Sequence, residues 1–208
     1  STADAERAGL LVRGEHGYRD RFWNRLIFPI HNVEGRPIAF GGRAMEEVQP
    51  KYLNSPETPI FSKGRTLYGL HLARKGIGAA GYAVVVEGYL DLIACHQAEI
   101  SQTVATLGTA ITPEVIRLLR RYSSQLVLAY DGDSAGLGAA LRSAPVFEEA
   151  GCEVRIARLP AGADPDSVIK EEGAAAFQRL LDGAEPLMEY HLGALARRHD
   201  LSLSLIHI

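Results

Sequence analysis

VVVEGYLDL, residues 84–92, decides the fold. Three successive valines form a β-branched apolar run closed by glycine, the pattern of a central parallel strand buried on both faces. A glutamate, Glu87, follows at once. Desolvating a carboxylate at a strand exit is costly without a partner, and in open α/β sheets the carboxyl ends of strands are where ligands bind. The competing reading makes Glu87 a solvated residue that caps the helix opening after Gly88.

A second stretch repeats the pattern. In SSQLVLAYDGDSAG (123–136) the apolar run Leu126–Tyr130 ends in Asp131, Gly132 and Asp133. Between the two lies GTAITPEVIRLLRRY, with Thr112 as N-cap, Pro113 at the first helical position and Val115, Ile116, Leu118 and Leu119 as an apolar face. This reads as a strand-helix-strand unit. Right-handed crossovers place successive parallel strands in one sheet with their carboxyl ends together, so Glu87, Asp131 and Asp133 should converge at one edge. A third run, EVRIARL (153–159), leads into PAGADPDSVIKEEG, where Asp164 and Asp166 flank a proline. Asp164 is equally well placed to cap the helix that Pro165 opens.

Crowded carboxylates repel one another, and a hard divalent cation relieves that. Mg²⁺ binds through one or two carboxylates, waters and substrate phosphates, so an open cluster suits phosphoryl or nucleotidyl chemistry. An isolated Asp-Gly-Asp also fits turns, calcium loops and aspartyl-phosphate pockets. The pairing of a glycine-flanked Glu at one strand end with Asp-Gly-Asp at a later one is more specific. Asp91, one helical turn after Glu87, either supports the cluster or is solvated.

VVVEGYLDLIA, LAYDGDSAG and LPAGADPDSVIKEEG together resemble the three acidic motifs of the TOPRIM domain as it occurs in bacterial DNA primases. RFWNRLIFPIHNVEGRPIAFGGR (21–43) and PKYLNSPETPIFSKGRTLYGL (50–70) resemble the segments that precede TOPRIM in primases and not in other TOPRIM enzymes. The resemblance covers roughly residues 5 to 192. It implies an α/β fold with a TOPRIM-type parallel sheet and flanking helices, preceded by a smaller mixed α+β basic subdomain and followed by a short helical segment. The expected division is 1–80 for the basic subdomain, 81–163 for TOPRIM, 164–200 for the helical segment and 201–208 for an atypical tail.

The same resemblance implies a DNA-directed RNA polymerase making short primers for replication on single-stranded DNA from ribonucleoside triphosphates. Glu87, Asp131 and Asp133 are then catalytic; with Asp164 and Asp166 they hold Mg²⁺ or Mn²⁺. Arg43, Lys51, Tyr52, Lys63 and, more weakly, Asn54 match positions that bind nucleotide and template. Cytoplasmic location and a monomer are expected. The zinc domain usual in the family is not expected in these residues, nor is the C-terminal domain through which a replicative helicase would recruit the enzyme, so the chain reads as a catalytic-core fragment. The rivals are a TOPRIM nuclease or topoisomerase using the same acids, and a non-catalytic module binding nucleotides or single-stranded DNA.

Composition sets independent bounds. With 208 residues, 47% of them hydrophobic, the chain suffices for a well-buried core. No apolar run reaches membrane-spanning length. Cys95 and Cys152 are far apart and lack partners at metal spacing, which reads as reduced buried thiols, not zinc ligands. Net charge is −3, against the basic balance of a nucleic-acid binder. Its distribution is uneven: residues 1–75 carry 12 Lys and Arg against 8 Asp and Glu, and residues 76–208 carry 10 against 17. A basic front and an acidic back suit phosphate grip on one side and metals on the other.

Locally, 3–10 reads as a helix, 25–30 and 36–42 as strands about a turn at 32–35, PKYLNSPET as loop, KGIGAAG (75–81) as a linker, and 173–183 and 185–199 as helices.

Overall fold

The computed structural model describes residues 1–15, 17–130, 138 and 141–198. Asp131, Asp133 and the 201–208 tail lie outside them.

The valine run forms an interior strand of a five-stranded sheet, one place in from an edge. β6 (Ala83–Val86) is buried along its whole length and pairs in parallel with β7 (Thr103–Ala105) on one side and β8 (Gln125–Leu128) on the other. β9 (Glu153–Ile156) continues in parallel beyond β8, and β10 (Glu185–Pro186) closes that edge antiparallel. The spatial order is β10-β9-β8-β6-β7. Alternation along the strand sends Val85 to one face and Val84 and Val86 to the other.

Helices cover both faces. On one, α2 (Leu70–Ala80), α4 (Pro113–Arg120) and α5 (Ala144–Glu149) bury Leu70, Ile77, Ile116, Leu119 and Phe147. On the other, α3 (Tyr89–Gln97), α6 (Pro165–Glu172) and α7 (Ala174–Asp182) bury Leu92, Cys95, Val168, Phe177 and Leu181. Each fully buried Val, Leu, Ile or Phe side chain contributes about 1.5–3 kcal/mol. α8 (Leu187–Arg198) follows β10. Cys95 and Cys152 are free and buried, and burial pushes the Cys95 thiol up to about 12.

Ahead of this sheet, α1 (Thr2–Arg7) is capped by Ser1 and followed by the hairpin β1 (Leu11–Gly14) and β2 (Gly17–Asp20). A second sheet, in the order β3-β4-β5, is built from Arg25–His31, Pro37–Ala44 and Tyr52–Asn54, all antiparallel. Phe28, Ile30, Ala39 and Phe61 from this part meet Tyr89 and Leu107 from the parallel-sheet part in one cluster, so the two sheets share a core.

Three local expectations are corrected. KGIGAAG is no linker but the second half of α2. Gly76 is required there because a Cβ would lie 2.5 Å from Ser101 Oγ and 2.9 Å from the Gln102 nitrogen, so helix and chain meet at backbone distance. PKYLNSPET is not all loop: Tyr52–Asn54 pairs with Gly41–Arg43 as an edge strand. The run from β6 to β8 is not one strand-helix-strand unit either, since β7 intervenes and α4 crosses over β6 to reach β8. β7 is three residues long and is held outside by a two-way backbone bridge, with Tyr68 and Ala105 each donating an N–H to the other's carbonyl at 2.9 and 3.0 Å.

Candidate active-site cleft

The carboxyl ends of β6, β7 and β8 open into a cleft of about 950 Å³ whose other wall is the antiparallel sheet. Of the predicted residues, Arg43, Lys51, Tyr52, Asn54, Lys63, Glu87, Asp91, Asp164 and Asp166 all line it. The charge asymmetry of the sequence is therefore spatial. Cations from the first 65 residues face carboxylates from the strand ends.

On the acidic wall, Glu87 leaves β6 half-buried, beside Tyr130 at the end of β8. The Tyr130 phenol is held well above its ordinary range, first by burial and then by the Glu87 charge. Glu87 is not the cap of α3. That role falls to Asp91, whose Oδ2 accepts the Gly88 N–H at 3.0 Å. Gly88 is needed for this, because a Cβ would lie 2.8 Å from that same oxygen. Asp91 is buried, and its Oδ1 also accepts the Asp166 N–H at 3.4 Å, so one carboxylate ties the start of α3 to the start of α6. Asp164 caps α6, accepting the Ser167 N–H at 2.7 Å, and Asp166 accepts from Lys170 Nζ at 2.6 Å.

On the basic wall, Arg43 of β4 stands opposite Tyr52 of β5 in register. The Tyr52 hydroxyl is raised chiefly by burial; Arg43 opposes that shift, while Asp91 and Asp166 add to it. Tyr52 thus senses both walls. The Nε groups of Arg21 and Arg43 are buried without a hydrogen-bond partner among the described residues. Buried N–H donors without partners are expensive, and an anion in the cleft would satisfy them. Lys63 lies in a single 3₁₀ turn (63–65), whose backbone is anchored when Lys63 N–H donates to Glu57 at 2.8 Å.

Asn54 holds the walls together. Its Nδ2 donates to the Leu107 carbonyl at 2.9 Å, its Oδ1 accepts from the Tyr89 hydroxyl at 2.8 Å, and its own carbonyl accepts from Arg21 at 3.1 Å. Tyr89 in turn stacks on Phe28, with ring centroids 4.8 Å apart.

Arg21, Tyr89, Tyr130, Arg142 and the loop 106–111 also line the cleft and escaped the sequence reading. The loop was invisible because β7 was. Arg21 lay in a stretch read for its resemblance and its strands, and not residue by residue for cleft contacts.

Comparison with known proteins gives the arrangement a lineage. Residues 1–74 match the family model for the DNA primase catalytic core, N-terminal domain, and residues 84–169 match the Toprim-like family. The RNA polymerase domain of Mycobacterium tuberculosis primase DnaG superposes with a TM-score of 0.88 at 33% identity, over 100% of this chain and 70% of that one. The chain belongs to the DnaG-type DNA primases. Among curated relatives, the DNA primase of Clostridium acetobutylicum is 45% identical over 185 residues, and that of Halalkalibacterium halodurans 48% over 181. These matches take in 89% and 86% of this chain but only 31% and 30% of the relatives, so the chain spans about a third of their length. A DnaG primase catalytic domain solved bound to single-stranded DNA superposes with a TM-score of 0.87 at 41% identity, over 97% of this chain and 64% of that one.

Proposed function

We propose that this chain is the part of a DnaG-type primase that carries out DNA-templated synthesis of short RNA primers. The observation that carries the reading is the opposition, within one cleft, of strand-end carboxylates and a wall of Arg21, Arg43, Lys51 and Lys63.

On this reading the cations grip triphosphate and template phosphates, with Arg43 suited to a bidentate fork and the lysines to point-charge contact. Tyr52 offers its ring to a base or ribose. Glu87, Asp131 and Asp133 hold divalent metal, with Asp164 and Asp166 completing or tuning the set; Asp131 and Asp133 are assigned from the sequence, by their place after an apolar run and by the resemblance. The donor chemistry fits a hard cation, because every ionisable candidate donor among the described lining residues is an oxygen, with no His or Cys. Among the described residues no group of three His, Cys, Asp or Glu side chains is placed to hold a metal ion, and Asp131 and Asp133 lie outside those residues. Mg²⁺ or Mn²⁺ held there would supply the charge that lowers the pKa of the primer 3′-hydroxyl and steadies the leaving pyrophosphate. Asp91 supports the set by tying the start of α3 to the start of α6. The same reading has the chain working as a monomer in the bacterial cytoplasm. No described helix is long and apolar enough to cross a membrane.

The test is incorporation of labelled ribonucleotides on single-stranded DNA with Mg²⁺ or Mn²⁺, comparing the chain with Glu87→Gln and Asp131→Asn. Short RNA from the first and at least ~100-fold less from either variant is expected, since each removes a charge that would hold the metal at the reacting groups. Full synthesis by Glu87→Gln would overturn the assignment.

A further inference from the structure

The chain has one tryptophan, Trp23, and it is 77% exposed in the turn between β2 and β3. An indole this open offers a flat apolar face with a polar N–H at its edge, the surface on which a nucleic-acid base can stack. The turn around it is held on both sides. Asp20 accepts the Phe22 N–H at 2.8 Å, and Phe22 is buried edge-on against Phe40 with centroids 6.3 Å apart. On the other side Asn24 adopts φ 54°, a conformation few non-glycine residues take; its Nδ2 donates to Glu46 at 2.9 Å and its carbonyl accepts from Met45. The indole is thus presented from a fixed backbone.

Its surroundings select the ligand. Arg21, two residues earlier, lines the cleft with its Nε buried and unpartnered among the described residues. Arg25, two residues later, donates to the carbonyl of Pro50, next to Lys51 of the same wall. An aromatic face interleaved with cations is how single-stranded nucleic acid is held: phosphates by charge, bases by stacking.

We propose that Trp23 is a stacking platform for a base of the single-stranded DNA template where it enters or leaves the cleft. The assignment rests on the reading of the cleft given above, and it adds a binding residue that is neither charged nor part of the acidic motifs. Stacking is nearly independent of salt, whereas phosphate contacts weaken steeply as salt rises. Trp23 should therefore hold the template in register where charge alone lets it slide.

A single tryptophan makes the test direct. Oligo(dT) is titrated into the chain while indole emission is followed, and binding is measured in parallel by anisotropy of a labelled oligo(dT), for wild type, Trp23→Phe and Trp23→Ala. Quenching that tracks the anisotropy is expected. Trp23→Ala should weaken binding about 5- to 150-fold, by the same factor at low and high salt, with Trp23→Phe recovering most of the loss. Circular dichroism should show both variants folded, because the side chain buries little. Binding by anisotropy with unchanged indole emission and equal affinity in Trp23→Ala would overturn the proposal and leave the cleft reading standing. No binding by the wild type would overturn both. Indole emission that responds to protein concentration and not to DNA would make Trp23 a protein contact and would also refute the proposal.

Discussion

Gly41→Ala separates a held cleft from a loose one. Gly41 lies in β4, opposite both Phe28 and Asn54. A Cβ there would stand 2.3 Å from the Tyr89 hydroxyl and 2.4 Å from its Cζ, so the ring must move. Overfilling a packed site costs about 1–3 kcal/mol. Moving the ring also loosens its stack on Phe28, about 0.5–1.5 kcal/mol, and its bond to Asn54, about 1 kcal/mol. The terms overlap, which gives roughly 3–4 kcal/mol, or a fall in Tm of about 6–16 °C for a chain of this size. Thermal melts and urea titration read this directly. A double-mutant cycle with Tyr89→Phe isolates the cause: alone it should cost about 1–2 kcal/mol by leaving Asn54 Oδ1 unsatisfied, and in the Gly41→Ala background almost nothing more. A Tm within about 2 °C of wild type for Gly41→Ala, or full additivity in the cycle, would show that Tyr89 is not pinned between the sheets.

Two further outcomes are expected. Asp91→Asn offers an amide where two backbone N–H groups need acceptors, so stability should fall by about 1.5–3 kcal/mol and primer synthesis by more than tenfold in protein still folded at the assay temperature. A melt within about 1 °C of wild type would contradict the tie between α3 and α6. His71 lies tilted against His31, ring centroids 4.6 Å apart, with its Nδ1 buried and unpartnered among the described residues. Burial first, then the charges of His31, Arg74 and His96, lower its pKa. The unfolded chain therefore takes up this proton first as pH falls below about 6.5, and stability declines from there downward. In His71→Asn the urea midpoint between pH 7 and pH 5 should change less than in wild type; an identical slope would remove His71 from the explanation.

What the sequence disclosed was whatever rests on an uninterrupted local pattern. The three valines, the Thr112-Pro113 cap and the acids after apolar runs each carry their reason within a few residues, and the structure keeps the strand and the cap where they were read. Asp164 was readable as cap or as cleft acid, and it is placed as both. The parts that were missed depend on partners far along the chain. Gly76 and Gly78 look like a linker until Ser101 supplies the backbone that Gly76 must approach. Thr103–Ala105 is too short to declare itself and becomes a strand because β6 lies beside it. Tyr52–Asn54, hemmed by prolines, pairs only because β4 is already folded, and Asn54 reaches Leu107, 53 residues away. Trp23 sat inside a segment read only as a whole, and nothing local marked its side chain as open.

The margins of the parallel sheet bear on how such a chain avoids sticking to its neighbours. An open strand margin is a row of unpaired amides that another molecule can extend, which is how sheets grow into aggregates. Here one margin is only two residues long and ends in Pro186, which has no N–H to offer. At the other, the amide and carbonyl of Ala105 are already engaged by Tyr68. The parallel sheet thereby offers a foreign strand little margin to extend, and at one edge of the three-stranded sheet Pro29 interrupts the donors of β3.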